Sequence, residues 1–226
     1  MTESKLILAL DGISFPRAME LTAILGPRLY AVKVHELADR FGVQDICRHL
    51  KAEGAPRVWV DYKLHDTPDT VRNRAMALRD CGADILTVHV GDDGLDIIKA
   101  ARESGAEIYA ITVLTSVPDG MLKKRYGRTR VQVMLDRALD AQLAGANGVV
   151  CSAPDASEIK RIVNFDSMGI IIPGTRLPGG DHHDQKNVTT PEEAFRNGAT
   201  KLVVGRDLTK ADDPETVLAA YEAARQ

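Results

Sequence analysis

Aromatic side chains make up only 4% of this 226-residue chain, so its core has to be built from aliphatic residues. Cysteine is as scarce. Cys47, Cys81 and Cys151 are odd in number, widely spaced and without a CxxC pair, which excludes a disulfide framework or a zinc knuckle and fits a reducing cytoplasm. No stretch approaches the roughly 18 apolar residues of a membrane span. Residues 1–10 carry one lysine and a five-residue apolar run that stops at Asp11, too short for the core of a signal peptide. Nor is there an excess of one charge: Lys and Arg number 29 against 32 Asp and Glu, a formal net charge of −3. That balance gives no electrostatic reason to expect nucleic acid or an anionic membrane as partner. The composition is that of a soluble globular chain, with 44% apolar and 27% charged residues.

Short aliphatic and β-branched runs recur along the chain with helical pattern between them, the signature of successive βα units. Eight are present, at 6–10, 30–34, 58–62, 85–90, 107–113, 148–151, 169–172 and 201–204. The segments 16–25, 70–81 and 131–144 place apolar residues three and four apart, as amphipathic helices do. Gly-Ala pairs at 82–83, 145–146 and 198–199 mark helix ends ahead of strands. Eight parallel strands close a barrel. No Ser/Gly-rich linker or composition break divides the chain, so we expect one α/β domain over residues 1–226, a single (β/α)8 TIM barrel.

Active sites on this fold lie at the carboxyl ends of the strands, and polar residues cluster at those positions here. They include Asp11, Lys33, His35, Asp61, Lys63, His65, Asp66, His89, Thr115, Ser116, Ser152, Gly174, Arg176, Gly205 and Arg206. In Val60-Asp61-Tyr62-Lys63-Leu64-His65-Asp66 the period of two puts Asp61 and Lys63 on one face, about 6.6 Å apart along the strand, with Val60, Tyr62 and Leu64 opposite. Lys33 and His35 share a face of the second strand by the same parity. Adjacent strands then bring Lys33, Asp61, Lys63 and Asp66 to one mouth. A solvated ion-pair ladder is the bland account of such charges, worth at most about 1 kcal/mol per pair. A neutral quartet at the catalytic end suits a reaction better. A substrate carboxylate held about 4 Å from a fixed Asp is repelled by on the order of 4 kcal/mol at an effective dielectric of 20; loss of CO2 removes that repulsion, and a neighbouring ammonium stabilises and protonates the carbanion. Charge pairs alone would equally serve aldol or enolisation chemistry. At the ends of strands seven and eight, the usual phosphate site of this barrel, Gly205-Arg206 and Pro173-Gly174-Thr175-Arg176 offer backbone amides and guanidinium groups.

At this point the residues resemble a known family. Asp61-x-Lys63-x-x-Asp66-x-Pro68-x-Thr70 is similar to the signature of the orotidine 5′-phosphate decarboxylase family, and the similarity continues in order and spacing. It takes in Ala9-Leu10-Asp11, Lys33, Leu114-Thr115-Ser116, Pro173-Gly174-Thr175-Arg176, Gly180-Asp181 with Asp184-Gln185-Lys186, Thr190-Pro191 and Val204-Gly205-Arg206. The resemblance implies that Lys63 donates a proton to C6 of the pyrimidine, that Asp61 faces the substrate carboxylate, and that Lys33 binds ribose and holds Asp61. It further implies Asp11 on the ribose, Thr115 or Ser116 on the base, and Gln185, Arg206 and the amides around Gly205 on the 5′-phosphate, with Arg176 opening a loop that closes over it. Asp66 and Thr70 would reach into the neighbouring subunit's site, making a homodimer with shared active sites. No cofactor and no metal are implied. Thr67 stands where the family has Ile, His35 where many bacterial members have Gly, and His182-His183 are expected to be solvated loop residues.

Three rivals share the barrel. A metal-dependent sugar-phosphate epimerase would take His35, His65 and Asp61 as ligands, but Lys33 and Lys63 would aim like charges at the ion. The sister branch of sugar-phosphate decarboxylases and formaldehyde-fixing synthases has the DxKxxD core and uses Mg²⁺, but lacks Pro68 and Asp184-Gln185. A phosphate-ligand-binding barrel without catalysis is the non-enzyme alternative.

Overall fold

The computed structural model describes residues 3–114, 117–162, 168–178 and 189–224. Eight parallel strands follow one another around a closed barrel in sequence order: β1 (Leu6–Ala9), β2 (Ala31–Val34), β3 (Val58–Leu64), β4 (Ile85–His89), β5 (Glu107–Ile111), β6 (Gly148–Val150), β7 (Gly169–Pro173) and β8 (Lys201–Val204), with β8 paired to β1. The fold is thus the (β/α)8 barrel expected from the eight runs; β1, β4, β5 and β6 end a residue or two earlier than the apolar run does, and β2 and β8 end with it. β7 runs one residue further, to Pro173, and β3 continues two residues past Tyr62, through Lys63 to Leu64.

The helices are α1 (Phe15–Leu25), α2 (Glu36–Phe41), α3 (Val43–Ala52), α4 (Pro68–Asp80), α5 (Gly94–Arg102), α6 (Asp119–Tyr126), α7 (Arg130–Leu143), α8 (Ala153–Ile162), α9 (Pro191–Arg196), α10 (Arg206–Thr209) and α11 (Pro214–Ala223), with a 3₁₀ turn at Gly26–Arg28. Their ends are written in the sequence. Thr129 with Gln132 and Thr190 with Glu193 form capping boxes, and prolines open α4, α9 and α11. At Gly82, Gly145 and Gly198 the backbone turns left-handed, at φ +97°, +76° and +109°. The next alanine amide (Ala83, Ala146, Ala199) bonds the carbonyl five residues back. This is the Schellman end that the Gly-Ala pairs promised.

Alternation along the strands builds two apolar layers. Leu8, Val32, Val60, Leu86, Ile108 and Val204 face outward and pack under the helices. Ile7, Ala9, Ala31, Trp59, Ile85, Tyr109, Ile171 and Val203 form a separate cluster inside the barrel. The interior is closed at the amino ends of the strands, where the hydroxyls of Tyr30 and Tyr109 donate to Glu107 at 2.7 and 3.1 Å. Arg57 and Lys201 lie over the Tyr30 ring, 4.3 and 4.2 Å from its centroid. Burial, aided by the Glu107 contact, pushes the Tyr30 phenol up to about 12. These contacts fill the amino end of the interior among the described residues, and a cavity lies toward the carboxyl ends.

Candidate active site

A cavity of about 480 Å³ occupies that open end, within the size range of small-molecule sites. Its walls carry Asp11, Lys33, Asp61, Lys63, Gly174, Arg176, Gly205 and Arg206, all expected from the sequence, together with Trp59, Ile111, Val113, Leu114, Val150, Cys151 and Val203. Four of the charged groups come from β2, β3 and the turn after β1, and two arginines follow β7 and β8, with aliphatic residues of β5, β6 and β8 between them.

The charges form a ladder. Lys33 Nζ lies 2.7 Å from Asp11 Oδ2 and 3.3 Å from Asp61 Oδ2, and Lys63 Nζ lies 2.9 Å from the same Asp61 oxygen. Exposure grades outward: the side chains of Lys33 and Asp61 retain 8% and 11%, those of Lys63 and Asp11 33% and 48%. Burial works against ionisation of Asp61, but the charges of Lys33 and Lys63, with hydrogen bonds from Lys63 and Thr87, outweigh it and hold the carboxyl below its ordinary value. Burial likewise opposes the charge on Lys33; the carboxylates of Asp61 and Asp11 overcome it and hold the ammonium above its ordinary value. Both inner members therefore stay charged in a largely dehydrated place.

The expected quartet is corrected in one member. Within this chain the fourth charge is Asp11, not Asp66, whose exposed carboxylate accepts a hydrogen bond from the Thr67 amide at 2.7 Å. Asp66 lies in the turn between β3 and α4, where Thr67 Oγ1 also reaches Thr70 Oγ1 at 3.0 Å. His35 does not share the face of Lys33: it is exposed ahead of α2, its ring edge-on to Tyr62 at 6.1 Å. The ring of His65 faces His89 at 5.9 Å rather than the ladder. The imagined metal set of His35, His65 and Asp61 is therefore not assembled, and among the described residues no group of three His, Cys, Asp or Glu is placed to hold an ion. Ser152 has a capping place instead, its Oγ accepting from the Asp155 amide at the start of α8 at 3.4 Å. Thr115, Ser116, Gln185 and the His182-His183 pair lie outside the described residues.

At the ends of β7 and β8, Gly205 directly precedes α10, and Gly205 and Arg206 both line the cavity. A side chain at Gly205 would meet only Ala9, at 3.7 Å, so packing does not require glycine there; its lack of a side chain leaves space at the cavity wall. Arg176 lines the cavity but is 4% exposed and bound within the protein. Its Nε lies 3.1 Å from Asp207 Oδ1, and Tyr221 donates to the other oxygen of Asp207 at 2.7 Å.

Two polar participants were not read from the sequence. Thr87, 1% exposed on β4, donates from Oγ1 to Asp61 Oδ1 at 2.8 Å and accepts from Trp59 Nε1 at 2.6 Å. The available signal was a lone hydroxyl at an inward position of the run Ile85-Leu86-Thr87-Val88-His89, beside the single tryptophan of the chain.

Comparison with known proteins identifies the family of this barrel. The profile of the "Orotidine 5'-phosphate decarboxylase / HUMPS family" matches residues 4–221. A protein of Nitrosococcus oceani named orotidine 5'-phosphate decarboxylase is 36% identical over 99% of this chain and 98% of its own length. One of Streptococcus pneumoniae with the same name is 37% identical over 100% and 97%. The crystal structure of orotidine 5'-phosphate decarboxylase from Lactobacillus acidophilus superposes with a TM-score of 0.83 at 28% identity, covering 99% of this chain and 100% of that one. The chain belongs to the orotidine 5'-phosphate decarboxylase / HUMPS family.

Proposed function

We propose that this chain is a carboxy-lyase that converts orotidine 5′-phosphate to UMP and CO2, the last step of de novo UMP synthesis, by direct decarboxylation without a cofactor. The observation that carries the reading is the ladder Asp11–Lys33–Asp61–Lys63 at the open end of the barrel, beside a cavity with a cationic far rim. Every curated relative named above is a decarboxylase of this substrate by its name.

The chemistry follows from the placement. A substrate carboxylate set against Asp61 meets a charge that Lys33, Lys63 and Thr87 hold in place, and ground-state repulsion of a few kcal/mol follows at about 4 Å. The C6–carboxylate bond breaks, CO2 leaves, and the electron pair stays on C6, where the Lys63 ammonium stabilises it. Lys63 Nζ then gives its proton to C6 and regains one from water. Lys63 suits the donor role better than Lys33, because it is more exposed to the cavity and has one carboxylate partner where Lys33 has two. Lys33 and Asp11 take the ribose hydroxyls, and Arg206, the amides about Gly205, and Gln185 take the 5′-phosphate. Arg176 serves through its Asp207 pair by fixing the base of the loop after β7. Thr115 or Ser116 contacts the base.

Asp66 and Thr70, at the surface beside the mouth, complete the site of a second subunit in a homodimer. A cytoplasmic location is supported by three cysteines that are all unpaired; no described helix is long and apolar enough to cross a membrane.

The test is the fall in ultraviolet absorbance as orotidine 5′-phosphate is consumed in the presence of EDTA. Turnover that survives chelation supports the reading; turnover that needs added divalent metal, or none at all, overturns it.

A further inference from the structure

Asp61 Oδ2 is committed to two ammonium groups, which leaves Oδ1 to fix the rotation of the carboxylate about its Cβ–Cγ bond. Its partner there is Thr87 Oγ1 at 2.8 Å. A threonine hydroxyl has one proton and can direct it to any acceptor in reach, so the bond would be loose if the hydroxyl could turn. It cannot. Trp59 Nε1 is only a donor, and at 2.6 Å it claims a lone pair of Oγ1, leaving the proton for Asp61. The indole is itself held, edge-on to Tyr109 with centroids 5.1 Å apart and planes at 85°, and Tyr109 is tied to Glu107 at the floor. Trp59, Thr87 and Asp61 all face the barrel interior, and Trp59 and Thr87 are buried to within 2% of full burial.

We propose that Thr87 is a positioning residue for the decarboxylation: its hydroxyl, held as a donor by the Trp59 indole, sets the angle at which the Asp61 carboxylate meets the carboxylate of the substrate. The proposal rests on the reaction assigned above. It requires an effect on the step in which the substrate carboxylate is present and none on a nucleotide that lacks it, since UMP has nothing to place against Asp61.

Thr87→Val keeps the shape and removes the hydroxyl. The expected result is a fall in kcat on the order of 10–100-fold, the usual cost of a small misplacement at a reacting centre, with the Kd for UMP within about twofold of wild type, the pattern of an interaction used only in the chemical step. Thr87→Ser, which restores a donor, should recover kcat to within about threefold. Trp59→Phe leaves the hydroxyl but frees it to turn; kcat should fall several-fold, and this variant decides the matter should Thr87→Val not fold. Unchanged kcat in Thr87→Val or Trp59→Phe, equal losses of kcat and UMP affinity in Thr87→Val, or no recovery with Ser would each overturn the proposal. A wild-type protein that does not decarboxylate orotidine 5′-phosphate would instead overturn the assigned reaction, so the two failures are distinguishable.

Discussion

Lys63 Nζ reaches Asp61 Oδ2 at 2.9 Å from a backbone that is not an ordinary strand: Lys63, at φ +49°, is the one residue other than glycine with positive φ among the described residues. The pairing of β3 with β4 shifts register there, Val60 opposite Leu86 and Leu64 opposite Val88, so two more residues are used on β3 than on its neighbour. Such a conformation costs about 1–3 kcal/mol and persists where surrounding contacts over-determine it. Here it brings the amine back onto the carboxylate two residues earlier, under the cavity.

Replacing Lys63 removes the proposed proton donor while the rest of the cavity stays in place. Lys63→Ala should lower kcat by at least about 10³-fold, within the range of a lost general acid, and leave the Kd for UMP within about threefold. Single-turnover assays and calorimetry read the two quantities. Near-normal turnover would remove Lys63 from the role.

Lys33 is the structural centre of the ladder, with two carboxylates and almost no water. Lys33→Met should destabilise the protein by about 3 kcal/mol, the low end for breaking a buried pair, because Lys63 still serves Asp61. The sign of the linkage fixes how this cost varies with pH. The lowered carboxyl of Asp61 stabilises above the ordinary 3.8 and is lost as pH falls through its folded value; the raised ammonium of Lys33 stabilises below 10.5 and is lost as pH rises through its own. Between those limits both are charged, so urea titrations at pH 5.5 and 9 should return the same cost. A cost that differs between the two would show that one member titrates inside the window.

What the sequence made legible, and what it did not, divides along a physical line. Alternation and the Gly-Ala ends depend on a residue and its near neighbours, so the barrel, its helix ends and the approach of Lys33 to Asp61 could be read directly. The bulge at Lys63 depends on what β4 offers opposite it, and a period of two gives no warning of it. The same holds for Thr87, whose partners Trp59 and Asp61 lie 28 and 26 residues away. Asp66 is expected at the mouth because it follows the strand end, but the turn into α4 carries it out to solvent.

His89 is predicted to make stability fall in mild acid. Burial first, then the positive charges of His65, Lys63 and Arg137, hold its imidazole below the ordinary 6.5, with Asp61 opposing. The unfolded chain therefore binds a proton that the folded one refuses, and stability falls as pH drops from about 6.5 toward the folded value. His89→Gln should flatten the dependence of the urea midpoint on pH between 7.5 and 5.5 at fixed protein concentration. An unaltered slope would assign the acid loss to other groups.

Arg206 stands at the cavity rim beside Gly205. If it grips the 5′-phosphate, Arg206→Ala should raise KM by about 10–100-fold, the worth of a charge-assisted contact, and inorganic phosphate at millimolar concentration should compete less well. An unchanged KM would remove Arg206 from the phosphate site.

The proposed role of Asp66 has a test that does not depend on measuring assembly alone. Asp66→Ala and Lys63→Ala should each be nearly inactive as pure proteins. In a symmetric dimer whose site takes Lys63 from one subunit and Asp66 from the other, a mixed dimer carries both defects in one site and none in the second. Co-expression of the two variants yields about half mixed dimers, so about a quarter of wild-type activity should return. Light scattering at micromolar concentration should give twice the chain mass. Were Asp66 to serve the site of its own chain, every site in the mixture would carry one defect and no activity would return, and a fully active monomer would contradict the shared site outright.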